Sequence, residues 1–88
     1  MAIEYIDIYE EKVGNLPLTG NYHMIRGNTS EEWIVDQKHH REDGPACICY
    51  DGRIWYMLNG YDYTKKAYYT ELYKRGLITE QECFIVVL

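Results

Sequence analysis

Two glycine-closed turn signals, Asp51-Gly52 and Asn59-Gly60, constrain this chain more than any other feature. The first sits between two runs rich in aromatic and β-branched residues, "ACICY" and "RIWYML", and the second marks a further turn. Asp-Gly between two such runs is a strong hairpin signal, because a two-residue type I′ loop needs positive φ at both positions. A loop of that length sets the register. Tyr50 then opposes Arg53, Cys49 opposes Ile54, Ile48 opposes Trp55 and Cys47 opposes Tyr56. One face carries Ala46, Ile48, Tyr50, Trp55 and Met57, and the other Cys47, Cys49, Ile54, Tyr56 and Leu58. Both faces are apolar, whereas a hairpin with one wet face should alternate apolar and polar. Such a hairpin is either covered on both sides or offers one side as a contact surface.

The remaining segments fit around it. "IEYIDIYE" (3–10), "YHMIR" (22–26) and "EWIVD" (32–36) read as strands. "GNLPLTGN" (14–21) and "KHHREDGP" (38–45) read as loops. Thr64 is placed to cap a helix running through "KKAYYTELYKR", with Gly76 just past its end and Tyr68, Tyr69, Leu72 and Tyr73 along one stripe. "TEQE" (79–82) has the spacing of a capping box and predicts a short helical turn. The closing "CFIVVL" is β-branched and reads as a final strand, with a helix as the alternative. The expected fold is therefore α+β: a small antiparallel sheet built from hairpins, with one main C-terminal helix packed on it. Eighty-eight residues make a single domain, 1–88, with a hairpin core over about 27–60 and the helix over about 64–76.

Composition narrows the function classes. No apolar run reaches the ~18–20 residues that span a bilayer, and the N-terminus lacks a basic region followed by an apolar stretch. A cytoplasmic setting follows, and three cysteines, an odd number, do not suggest a disulfide framework. The net charge is −5. Residues 1–36 hold seven acids and two bases, and residues 37–88 hold seven of each, so the whole excess lies in the first two-fifths. That balance disfavours direct binding of nucleic acid, which needs clustered Lys and Arg. It favours encounter with a basic protein surface.

The tryptophans reveal a second-order pattern. Trp33 and Trp55 lie 22 residues apart, each following a polar turn and preceding another. A period of that length suggests a β-hairpin repeat. "HREDGPA", then "YDG", then "WYMLNG" resembles a MORN-like hairpin repeat found in small proteins of tailed phages and in giant-virus proteins. The likeness covers His40 to Gly60 well and Gly27 to Asp36 loosely. The first copy departs from it, with "VDQK" where "LNGK" is expected. The resemblance implies a viral, phage-encoded protein working in a host cytoplasm. It implies no activity.

The remaining question is whether "HHREDGP" is a chemical site. Asp43-Gly44-Pro45 punctuates a turn, and Arg41 and Glu42 are expected to pair across a neighbouring strand or to lie at the sheet edge. His39, His40, Cys47 and Cys49 do not match an established zinc spacing. There is no phosphate loop, nucleophile elbow or HExxH. The sequence therefore points away from an enzyme, a metal and a cofactor. Ten tyrosines, a residue type enriched at interface hot spots, point toward protein binding. The expected function is inhibition of a host defence protein, of the anti-CRISPR type, with an acidic first third occluding a basic groove in a nucleic-acid-binding immune effector. The expected contact residues are Glu10, Glu11, Glu31, Glu32, Asp36, Tyr56, Tyr61 and Tyr63. A virion or self-associating structural protein, including a homodimer, is the alternative, and a small metal-dependent enzyme the second.

Overall fold

The computed structural model describes residues 3–9, 16–27 and 29–87, the last by its backbone. The strands are β1 (Ile6–Tyr9), β2 (Asn21–Ile25), β3 (Glu31–Val35), β4 (Lys38–His39), β5 (Cys47–Ile48), β6 (Ile54–Leu58) and β7 (Tyr61–Tyr63). Two helices follow, α1 (Lys65–Lys74) and α2 (Glu80–Val87). The sheet order is β1-β2-β3-β5-β6-β7, with β4 paired to β3. The expected α+β class is what forms. One pairing is parallel, β1 with β2, and the rest are antiparallel.

Three turns show how local chemistry sets register. Asn59 and Gly60 both have positive φ, 52° and 84°, and Leu58 pairs with Tyr61 across them. Asp36 and Gln37 do the same, at 49° and 67°, with Val35 opposite Lys38. Both are two-residue hairpins of the primed kind. The second creates β4 inside a segment read as loop, and it makes "VDQK" the working equivalent of the "LNG" turn. These turns lie 23 residues apart, not 22, so Trp33 is equivalent in the fold to Tyr56. Trp33 is buried, while Trp55 is exposed.

The Asp51-Gly52 turn departs from expectation. Cys47 pairs with Trp55 and Ile48 with Ile54, one residue off the expected register. Cys49 N–H donates to the Arg53 carbonyl at 2.8 Å, which leaves a three-residue loop, Tyr50-Asp51-Gly52. Only Gly52 takes positive φ, at 90°. Asp51 is freed to accept the Arg53 amide at 3.1 Å and the Arg53 Nε at 2.8 Å. An aspartate that bonds its own backbone two residues on gains more than one forced to positive φ. A one-residue slip exchanges the faces of one strand, so Trp55 joins the cysteines and Ile54 joins Ile48.

The C-terminal region corrects a second expectation. Thr64 caps α1, accepting the Ala67 amide at 3.2 Å. At its other end Gly76 N–H donates to Tyr73 and Leu77 N–H to Leu72, with Gly76 at φ 74°. This pairing, five-to-two inside six-to-one, ends the helix and reverses the chain. Leu88 lies outside the described residues, and Cys83 to Val87 then lie in a helix, the stated alternative, rather than in a strand. Thr79 and Glu82 cap it reciprocally: Glu82 N–H donates to Thr79 Oγ1 at 3.1 Å and Thr79 N–H to Glu82 Oε1 at 3.0 Å. The capping box outweighs the β-propensity of the residues behind it. The core sits where α1 meets β6 and β7. Leu58, Tyr68 and Leu72 are fully buried, with Tyr56, Tyr63, Tyr69 and Ile78 packed against them.

Candidate functional site

The "HHREDGP" loop is built around its neighbours. His40 is 4% exposed. Its Nδ1 accepts the Asn59 amide at 2.9 Å, and an amide can only donate, so the ring proton resides on Nε2, which meets Glu42 at 2.8 Å. Both ring nitrogens are thus committed. Arg41 lies over the Trp33 ring, 3.8 Å from its centroid, and bonds Asp43 at 2.9 Å and the Pro45 carbonyl at 3.1 Å. Its ion pair is local to the loop and does not cross a strand, the first of the two expected placements, because the loop curls back on itself. The Tyr68 hydroxyl fills the curl. It donates to the Arg41 carbonyl, lies 3.0 Å from that of Gly44, and accepts the Gly44 amide at 3.3 Å. Burial pushes its pKa far above the usual tyrosine range. The loop is a structural hub.

Among the described residues of the acidic first third, Asp7, Glu31 and Glu32 are held in internal pairs. Asp7 and Glu31 approach the two nitrogens of His23, at 3.0 and 2.9 Å, and His23 stacks on Trp33 with centroids 4.4 Å apart. Glu32 meets Arg26 Nε at 2.7 Å and His39 Nε2 at 2.6 Å. The His39 hydrogen bond, with Arg26 adding to it against the opposing effect of burial, lowers the Glu32 pKa to about 2. Asp36 accepts the Gly20 amide at 2.9 Å and remains exposed. Glu10 and Glu11 lie outside the described residues. Tyr56 and Tyr63 pack against the core, whereas Tyr61 on β7 is 72% exposed. Among the described contact residues, Tyr56 and Tyr63 are thus taken up by the core, and Glu31 and Glu32 by pairs within the sheet.

Two other features are more site-like. The first is the hairpin tip, where Tyr50, Ile54 and Trp55 are 71%, 45% and 43% exposed. The corrected register sets Trp55 on the face of Cys47 and Ile54 on that of Ile48, the reverse of the expected assignment, so the two flank the tip on opposite faces. The second is a cleft of about 430 Å³. Ile3 and Tyr5 line it from the N-terminal segment, Glu42 and Asp43 from the hub, Tyr69 and Leu72 from α1, and Leu77, Ile78, Glu82 and Val86 from the helical corner and α2. Reading the last residues as a strand removed one wall of it, and the capping box was the signal for that wall alone. The Tyr5 hydroxyl donates to the His40 carbonyl at 2.7 Å. Burial raises its pKa to about 12, helped by the negative field of Asp43 and Glu42.

Among the described residues no three His, Cys, Asp or Glu side chains converge as metal ligands would. Burial, and then the neighbouring Cys49, raises the Cys47 thiol to about 11, so it stays protonated near neutral pH. No described helix is long and apolar enough to cross a membrane. Comparison with protein-family models, curated proteins and solved structures returns no match.

Proposed function

We propose that this protein acts by binding another protein, as a phage-encoded inhibitor of a host defence factor would, and that its grip is apolar more than electrostatic. The observation that carries this reading is the hairpin tip. Three large apolar side chains stand exposed there on a rigid β-turn. Aromatic anchors of this kind contribute most of the energy at interface centres. Glu31 and Glu32 are already paired within the sheet, so presenting them to a basic groove would mean breaking those pairs. That shifts the weight from charge to the tip.

The test is affinity capture from host lysate with the wild-type chain and with an Ile54→Thr, Trp55→Thr double variant. A single retained protein that the variant fails to hold supports the proposal. Equal retention by both chains overturns the tip as the contact. Sedimentation of the purified chain separates the alternative, because a self-associating structural protein would double in mass as concentration rises.

A further inference from the structure

We infer that the cleft between the hub loop and the two helices receives a cationic side chain with an alkyl stem, an arginine or lysine presented by a partner protein. This site is distinct from the hairpin tip, and the inference does not depend on it.

The cleft has two chemistries. Its floor is apolar, formed by Ile3, Leu72, Leu77, Ile78 and Val86. Its charged lining residues are all acids: Glu42, Asp43 and Glu82. Among the described residues their internal partners cancel one charge. Asp43 is paired with the Arg41 guanidinium. Glu42 bonds the Nε2 of His40, a ring whose Nδ1 is held proton-free by the Asn59 amide, so the bond comes from a neutral group. Glu82 is satisfied by the uncharged amide of Thr79. Two negative charges thus remain beside an apolar floor. Arginine and lysine match that arrangement, because their methylene stems cover apolar surface while the head group seeks charge. The volume lies near the low end for ligand sites, which suits one or two residues better than a large cofactor. An anionic ligand would meet uncompensated repulsion, and a purely apolar one would leave both carboxylates without a countercharge.

The experiment is an amide-resolved NMR titration of the whole chain with two capped dipeptides, acetyl-Leu-Arg-amide and acetyl-Leu-citrulline-amide. Citrulline keeps the shape of arginine and removes its charge. The arginine peptide should shift the amides of Asp43, Gly76, Leu77 and Ile78 with millimolar affinity. The citrulline peptide should bind at least fivefold more weakly. Glu42→Gln retains an acceptor for His40, and it should weaken the arginine peptide severalfold while leaving the remaining spectrum in place. Glu82→Gln should do the same, and its spectrum reports directly whether α2 stays folded. Equal binding of the two peptides overturns the inference. So do shifts confined to residues outside the cleft, or unchanged affinity in both variants.

Discussion

The two ends of this sheet are held by different chemistry. Around β2 and β3 the side chains form a charged network: His23 with Asp7 and Glu31, and Glu32 with Arg26 and His39, beside the buried Trp33. Around β6, β7 and α1 the contacts are aromatic. Tyr56, Tyr68 and Tyr69 meet with centroids 4.9 to 5.8 Å apart over Leu58 and Leu72. Acidity and tyrosine content are the two features that suggest an outward-facing surface in the sequence. Each is partly consumed in holding its own half of the molecule together. Two surfaces outside those networks are the hairpin tip and the cleft beside the helices.

The comparison predicts unequal consequences of mutation. Tyr68→Ala should have the largest effect, about 3–5 kcal/mol in denaturant unfolding, the usual range for emptying a buried aromatic site. It should also release the hub loop, because the same hydroxyl holds Arg41 and Gly44. Tyr68→Phe separates the two contributions. It keeps the ring and orphans the Gly44 amide, at a cost of about 1–3 kcal/mol. If Tyr68→Phe proves as damaging as Tyr68→Ala, the hub's hydrogen bonds outweigh the packing.

Gly52→Val comes next, at roughly 1–3 kcal/mol. Space around this glycine is open, with nothing within 4 Å of a added Cβ, so the whole cost is conformational and follows from φ 90°. Gly52→Asn should recover much of it, since asparagine tolerates that region. A Val variant as stable as the wild type would show that the three-residue loop is not retained.

The charged half should respond to acid through Glu32. The Glu32 pKa falls from 4.5 to about 2 on folding. Its contribution is therefore complete above about pH 4.5 and is lost as pH falls toward 2. The loss should be on the order of 1–2 kcal/mol after allowance for partial solvent screening. Glu32→Gln should flatten the dependence of unfolding free energy on pH between 4.5 and 2. An unchanged slope would mean that other carboxylates govern acid unfolding.

Legibility in the sequence followed the range of the interactions. The Thr64 cap, the Gly76 helix end and the Asn59-Gly60 turn rest on neighbouring residues, and each forms as read, although the β7 strand that makes the last a hairpin was not. The Asp51-Gly52 register turned on one competing bond, from the Asp51 carboxylate to the Arg53 amide, which turn statistics alone do not weigh. The fate of "CFIVVL" rested on whether "TEQE" or β-propensity would prevail. The ion pairs were not legible, because they depend on the parallel pairing that sets Asp7 beside His23 and on the β4 strand that brings His39 to Ile34. The cleft required the helical corner and the hub loop to be placed together, which no local pattern specifies.

The smallest expected effect is the one that tests the division between scaffold and surface. Trp55 looks like a core residue in sequence, flanked by Ile54 and Tyr56, and the 22-residue spacing aligns it with Trp33. In the fold it is 43% exposed, while Trp33 is 8% exposed and takes the contacts of His23 and Arg41. Trp55→Thr keeps a β-branched residue on the strand and removes the ring. It should change stability by no more than about 0.5 kcal/mol, as substitutions away from packed sites do. Trp33→Ala should cost about 3–5 kcal/mol in the same denaturation series. A loss above about 2 kcal/mol at Trp55 would place its ring in the packed interior and remove the hairpin tip as a binding surface. Near-neutral stability together with loss of partner capture would assign the ring to recognition, since a folded chain that no longer binds has lost a contact and not its structure.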